Sequence, residues 1–311
     1  MIAIEHNVEL HLAGSPADWI AADVPSWPVR KLKLRAGNPA GGILFAGPWI
    51  GEFGWELARW QGAVRRRARE SGLYTIVMSH PGHHVLYECA DEFWELPQAF
   101  LEATLTRQCD HVRAEDEASV DLLTSLGASL QRELRAYSLT EHVPGGPLPK
   151  RAEQDFVRLR APEARWSDAV SRPYCCLIVR GRSWCANKNW PPASWRELAA
   201  RMDALGYGHA VLGSRGEVAA LDSETRIAAD EGLARSVDLL AHAHFAVAGE
   251  SGGAILALLC GTRTVVFGRA DYRERITEDW NPLKTPVRYV ETPDFTVTPE
   301  EVACAACEFM C

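Results

Sequence analysis

Three stretches of the sequence gather residue types that do chemistry. The first is GPWIGEFGWELARW, from Gly47 to Trp60, which leaves an apolar run through glycines and carries the carboxylates Glu52 and Glu56 beside Trp49 and Trp55. A turn that only closes a strand needs neither the acids nor the aromatics. A carboxylate there either complements the positive end of the following helix or takes a proton from a bound hydroxyl as a general base. The second stretch, SHPGHH, places His80, His83 and His84 just past the next apolar run. Imidazoles at such a point line a binding site or exchange protons near neutral pH.

The third stretch is split in two. VRGRSWCANKNWPPASW puts Arg180, Arg182 and Lys188 at the exit of a strand, where a phosphate would sit. Farther on, GESGGA sets Glu250, Ser251, Gly252 and Gly253 at the opening of an apolar helix. Small residues let phosphates approach the backbone, and free N–H groups at a helix start attract anions. Glu250 is suited to accept a hydrogen bond from a ribose or sugar hydroxyl. Together the two loops fit a diphosphate-containing ligand, although each also reads as an ordinary surface loop or tight turn.

The elements that must carry these loops alternate. GILFAG, then helical spacing from Trp55 to Ser71, then YTIVMS (Tyr74 to Ser79), reads strand, helix, strand. Phe93 to Tyr137 is expected to be mostly helical. HVPGGPLPKRAEQ, dense in Pro and Gly, marks a domain seam. Beyond it, strands are expected over Cys175–Gly181, His209–Ser214, His244–Gly252 and Arg263–Gly268, and helices over Pro192–Gly206, Val218–Ala229 and GAILALLCG. Such alternation predicts parallel sheets with helices on their faces, and ligands at the strand C-termini. The expected domains are 1–165, 166–290 and a tail, 291–311. The first forty residues read as a peripheral strand or hairpin.

Composition narrows the classes. The chain has 311 residues, 47% hydrophobic and 24% charged, with a formal net charge of −8. That profile is globular and argues mildly against nonspecific nucleic-acid binding. Arg65, Arg66, Arg67 and Arg69 form the densest basic cluster and read as the solvated face of a helix. No apolar run approaches the roughly 20 residues of a membrane span, and the N-terminus lacks the pattern of a signal peptide, so a cytoplasmic protein is expected. The nine cysteines read as reduced thiols. Cys304, Cys307 and Cys311 form a CxxCxxxC tail, a spacing that suits zinc or an iron–sulfur cluster but lacks a fourth ligand. Free thiols on a small packed tail are the alternative.

Over Cys176–Gly268 the sequence resembles heptosyltransferase-type glycosyltransferases of family 9, which have the GT-B fold of two Rossmann-like domains facing a cleft. The residues that carry the resemblance are Lys188-Asn-Trp190-Pro191, Trp195-Arg-Glu-Leu198, Leu212-Gly213 with Glu217, Glu250-Ser251-Gly252 and Val266-Phe267-Gly268. The chain has Glu250 where the family has Asp, and Ile255 where a histidine is usual. In the first half, Ile50-Gly51-Glu52 resembles the family's Ile-Gly-Asp turn, whose acid is implicated in activating the acceptor.

The resemblance implies transfer of a sugar from a nucleotide-diphosphate donor to a hydroxyl, with inversion and without a required metal. Glu52 is then the first choice of base, with Glu56 and His80 as alternatives. Arg180, Arg182, Lys188, Gly213, Glu217, Glu250, Ser251, Gly252 and Gly253 would hold the donor, and Trp49, Trp55, His83 and His84 the acceptor. That acceptor would be a glycan, a small metabolite or a hydroxylated base in modified DNA. A sugar epimerase or hydrolase of the same fold, and a non-catalytic nucleotide-sugar or metal-binding module, are the competing readings.

Overall fold

The computed structural model describes residues 41–49, 51–96, 135, 139–145, 153–161, 166–170, 173–182, 185–213, 226–228 and 232–310. The first forty residues, Glu217 and Cys311 lie outside them. The chain divides into two compact units, 1–155 and 156–311.

In the first unit, strand β1 (Ile43–Ala46) is buried at every position. It lies between β2 (Tyr74–Ser79) and β4 (Leu139–Val143), parallel to both, with Ile43 opposite Tyr74 and Ala46 opposite Val77. A strand covered on both faces reads as a continuous apolar run, as ILFA does. The edge strand β3 (Glu92–Glu95) completes the order β3-β2-β1-β4. The chain passes to one side of β1 for β2 and β3, then to the other for β4. Such a reversal opens a crevice at the C-terminal end of β1, which is where the glycine-rich turn begins.

The turn feeds helix α1, over 53–71, which is not regular. An α-helical turn, Phe53–Trp55, gives way to a π-helical segment, Glu56–Trp60, before the α-helix Gln61–Ser71 closes on Gly72 in the left-handed region. In the π segment the Gln61 N–H donates to the Glu56 carbonyl. The wider turn accommodates an extra residue and re-aims the side chains, a device frequent at functional sites. Both Glu56, within the π segment, and Arg65, in the helix that follows, are buried.

Arg65 departs from the solvated face expected of the basic cluster. It is 6% exposed, and all five of its N–H donors are used. Nε and Nη2 clasp Glu88 at 2.5 and 2.8 Å, Nη2 also reaches the Leu86 carbonyl, and Nη1 reaches Gln61 Oε1 and the Asp155 carbonyl. Arg66, Arg67 and Arg69 do lie at the surface, paired with Glu70, Glu141 and Asp155.

The second unit holds a sheet of order β10-β9-β8-β5-β6-β7, parallel throughout. Its strands are β5 (Tyr174–Ile178), β6 (Gly208–Gly213), β7 (Arg226–Ala228), β8 (Phe245–Gly249), β9 (Thr264–Gly268) and β10 (Val287–Glu291). The helices between them are α2 (Pro192–Ala204), α3 (Leu233–His242) and α4 (Gly252–Leu259), with α5 (Pro299–Cys307) last. The order again reverses at the first strand, so β5 and β8 flank the crevice. Helix α4 is apolar and buried from Ala254 onward. Trp190, Trp195 and Phe267 pack together in the core, with Trp190–Trp195 edge to face at 4.9 Å. The aromatics of the motifs that carry the resemblance, Trp190, Trp195 and Phe267, are therefore packing residues. Helix α5 joins that core through Val302, Ala303, Ala305 and Ala306, and opens with a capping box of Thr298 and Glu301.

Two segments expected to be helical are corrected only at the residues described. Phe93–Glu95 belongs to β3, where burial alternates from Glu92 to Glu95 and the edge register with β2 supplies the backbone partners. Arg226–Ala228 is a strand, made so by pairing with β6 and not by its own sequence preference. The remainder of both segments falls largely outside the described residues. Among the described residues no helix is long and apolar enough to cross a membrane.

The two kinds of arginine give a stability test. Arg65→Met should destabilise the protein by about 3 kcal/mol, because it strands buried acceptors. Arg66→Ala should leave the urea midpoint essentially unchanged, since its pair is exposed. Urea titration of both variants checks the contrast.

Candidate active site

The acids of the glycine-rich turn part company in the structure. Ile50 lies outside the described residues. Glu52 is half-buried, with extended backbone (φ −62, ψ 141), and opens α1 through its carbonyl, which accepts from the N–H groups of Trp55 and Glu56. Its side chain makes no capping hydrogen bond.

Glu56 is fully buried. Its Oε1 accepts from the Ser79 hydroxyl at 2.5 Å and the Tyr87 hydroxyl at 2.7 Å, and its Oε2 lies 2.7 Å from His83 Nδ1. An ionised carboxylate loses several kcal/mol of hydration on burial. Hydrogen bonds to a charged group return about 1.5–3 kcal/mol each, so three of them offset a loss of that size. Burial pushes the Glu56 carboxyl up. The positive charge that His83 and His80 carry when protonated, the His83 hydrogen bond and the Ser79 hydroxyl together outweigh it and hold the group below its ordinary value of 4.5. The same burial, with Glu56 alongside, pushes the Tyr87 phenol well up, so it remains a donor.

Because Glu56 is ionised and only accepts, His83 Nδ1 must carry the proton of their shared bond. The ring sits 5.3 Å from Phe53 and 5.3 Å from His80. His80 is half-buried, and His84 is exposed and meets Phe93 edge to face at 6.1 Å. The segment from His83 to Glu88 is fastened at both ends by α1. Glu56 binds His83 and Tyr87, and Arg65 binds Leu86 and Glu88.

The tryptophans expected to offer platforms differ. Trp49 is 2% exposed and stacks on Trp60 at 5.1 Å, so its face is covered by the core and presents almost nothing to a sugar. Trp55 is half-buried on the first turn of α1.

In the second unit, the two loops expected to bind one ligand do meet at the β5/β8 reversal. Lys188 Nζ forms an ion pair with Glu250 Oε2 and stands 4.4 Å from the centre of the Tyr272 ring. Arg180 fastens the loop through the Cys185 carbonyl and Asn189 Oδ1. Asn189 in turn bonds the backbone N–H and carbonyl of the exposed Arg182. Ser251 turns its hydroxyl to the Gly249 carbonyl and does not cap α4, so Gly252 and Gly253 open the helix without a side-chain cap. A Cβ on Gly253 would stand 2.5 Å from Ile178 Cγ2, so glycine there lets the helix start close against β5. Gly213 ends β6.

The tail cysteines do not assemble a site within what is described. Cys304 and Cys307 are exposed on α5, Cys311 lies outside the described residues, and among these residues no cluster of three or more His, Cys, Asp or Glu groups is arranged to hold a metal ion. Helix periodicity sends the other face of α5, with Val302 and Ala306, into the core.

Comparison with known proteins follows the same lines. Residues 130–300 match the family model for glycosyltransferase family 9 (heptosyltransferase). The fold is similar to that of ADP-heptose lps heptosyltransferase II from E. coli, with a TM-score of 0.56 at 16% identity, covering 86% of this chain and 98% of that one. It is similar also to a glycosyltransferase family 9 protein from Veillonella parvula DSM 2008, at 0.56 and 10% identity over 88% and 98%. E. coli heptosyltransferase WaaC with ADP gives 0.50 at 14% identity over 86% and 99%. No curated protein matches the sequence.

The Glu56 network sets a pH dependence. The folded carboxyl lies below its unfolded 4.5, so its stabilisation is complete above 4.5 and is lost as pH falls through the folded value. Urea midpoints measured from about pH 3.5 to about pH 7 should fall on the acid side in the native protein. Glu56→Gln should be less stable at neutral pH, with a flatter acid limb.

Proposed function

The chain belongs to glycosyltransferase family 9 and is a glycosyltransferase with the GT-B fold; on that premise we propose that it moves a sugar from a nucleotide-diphosphate donor to an acceptor hydroxyl, with inversion at the anomeric carbon. The observation that carries this reading is the convergence of Lys188 and the uncapped start of α4 at the β5/β8 reversal. A cation and a helix N-terminus together stabilise charge as it develops on a departing diphosphate.

The donor is assigned to the second unit. Lys188 meets the diphosphate, aided by Arg182 from the same loop, while the backbone of Gly252 and Gly253 approaches its oxygens. Arg180 holds the loop in shape. Glu250 positions Lys188 through Oε2, and its other carboxylate oxygen is left for a ribose or sugar hydroxyl. Ser251 and Gly213 flank this site. Glu217, outside the described residues, keeps the donor role that the resemblance implies. WaaC was solved with ADP, and adenosine diphosphate is accordingly the first nucleotide proposed here.

The first unit supplies the proton acceptor and the acceptor contacts. Its candidates are gathered at the β1 reversal: Glu52 in the turn, and His80 and His83 beside the buried Glu56. Bond formation to the anomeric carbon and proton removal from the hydroxyl proceed together, through an oxocarbenium-like state. A glycan or small metabolite suits the acceptor better than DNA. Arg66, Arg67 and Arg69 are matched by acids, so they make no open cationic stripe for a phosphate backbone. The protein is proposed to work in the cytoplasm, where nucleotide sugars are made.

Calorimetric titration with ADP, UDP, GDP, CDP and dTDP tests the donor site. ADP should bind, and Lys188→Met should weaken it roughly tenfold or more, about 1.4 kcal/mol. Binding of none of the five would remove the basis of the donor reading. Release of ADP from its sugar without any acceptor would favour a hydrolase.

A further inference from the structure

We propose that His83 is the group that takes the proton from the acceptor hydroxyl, with Glu56 as the residue that orients it. The inference rests on the sugar-transfer reading and names the proton acceptor within it. Its ground is an asymmetry in the His83 ring. Nδ1 is held by a buried carboxylate at 2.7 Å, and no described residue hydrogen-bonds Nε2. The side chain is 17% exposed, against 0% for Glu56.

This arrangement fixes a tautomer. With the Nδ1 proton committed to Glu56, the neutral ring presents Nε2 as a lone pair, which accepts a proton and cannot donate one. Glu56 itself is excluded as the base. It is sealed from solvent, and its two oxygens already accept from Ser79, Tyr87 and His83. Its chemical value lies in its charge, which stabilises the imidazolium formed when Nε2 is protonated, as the buried acid of a His–carboxylate pair does in hydrolases. The ring is in contact with Phe53 and His80, each with its centre 5.3 Å away, and the Arg65 clasp on Leu86 and Glu88 anchors the chain that follows it. Fixed geometry of this kind is what a general base requires.

The step balances without a further reagent. The acceptor oxygen forms its bond to the anomeric carbon as its proton passes to His83 Nε2. The bond from that carbon to the phosphate oxygen breaks, and its electron pair leaves with the nucleoside diphosphate. The imidazolium then returns its proton to water. Glu52, half-buried at the start of α1, is left to hold an acceptor hydroxyl.

The test combines turnover with donor binding. ADP-heptose is supplied with a panel of monosaccharides and disaccharides, ADP release is measured, and ADP affinity is determined in parallel. His83→Ala should lower kcat about 100-fold to 10,000-fold, the range of general-base catalysis, while ADP affinity changes less than about twofold. Added imidazole should restore part of the lost rate in His83→Ala and none in Glu52→Gln. Glu56→Gln should lower kcat with KM for the donor unchanged. Glu56→Asp, which keeps the charge, serves where Gln impairs folding, and should retain more activity than Gln. Turnover by His83→Ala within about threefold of the native rate, or imidazole rescue of Glu52→Gln alone, would overturn the assignment and leave sugar transfer standing. A native protein that binds ADP but turns over no sugar donor would overturn both.

Discussion

The first unit depends on one buried charge. Glu56 sits in a π-helical segment with no solvent around it, and an unpaired carboxylate there would cost more than most single interactions can return. The structure meets that cost with Ser79 at the end of β2, and His83 and Tyr87 in the segment that follows. Those three donors come from one continuous piece of chain. Satisfying Glu56 therefore also fixes where β2 ends and how the histidine segment runs. Arg65, on the same helix, repeats the logic with the opposite sign and takes up the far end of that segment. The helix works as a clamp whose two jaws are buried charges.

The two units apply the same topological rule to different chemistry. Each sheet begins with a strand that ends up internal, and each reverses direction at that strand. In the first unit the reversal exposes a turn of glycines and acids. In the second it brings a basic loop and a glycine helix start together. The Lys188–Glu250 pair is the visible result of the second reversal, since its members lie far apart in sequence and meet only because β5 and β8 are neighbours.

Much of the second unit was legible from residues alone. Its strands are short, uninterrupted apolar runs bounded by glycine and proline, and burial on both faces makes such runs conspicuous. The loops that carry Lys188 and Glu250 could be paired in advance because strand order in α/β sheets places ligands at strand C-termini. The Thr298–Glu301 capping box is equally readable, being a local pattern that needs no tertiary partner. The edge strands β3 and β7 were not legible. Edge strands are short and mixed in polarity, and what makes them strands is the neighbour they pair with.

The residues with polar or amphipathic side chains divide along the same line. Sequence determined that acids, histidines and tryptophans cluster after β1 and β2, and that cations and glycines cluster after β5 and β8. Only the tertiary structure decided which of them face inward. Trp49 became core, Arg65 became a buried clasp, and Glu56 became an internal anion that fixes His83. The physical reason is that burial of a charged group is set by partners, not by its own polarity. Those partners stand at the end of β2 (Ser79) and in the segment after it (His83, Tyr87 and Glu88), and they come within hydrogen-bond reach of α1 only once the sheet has formed.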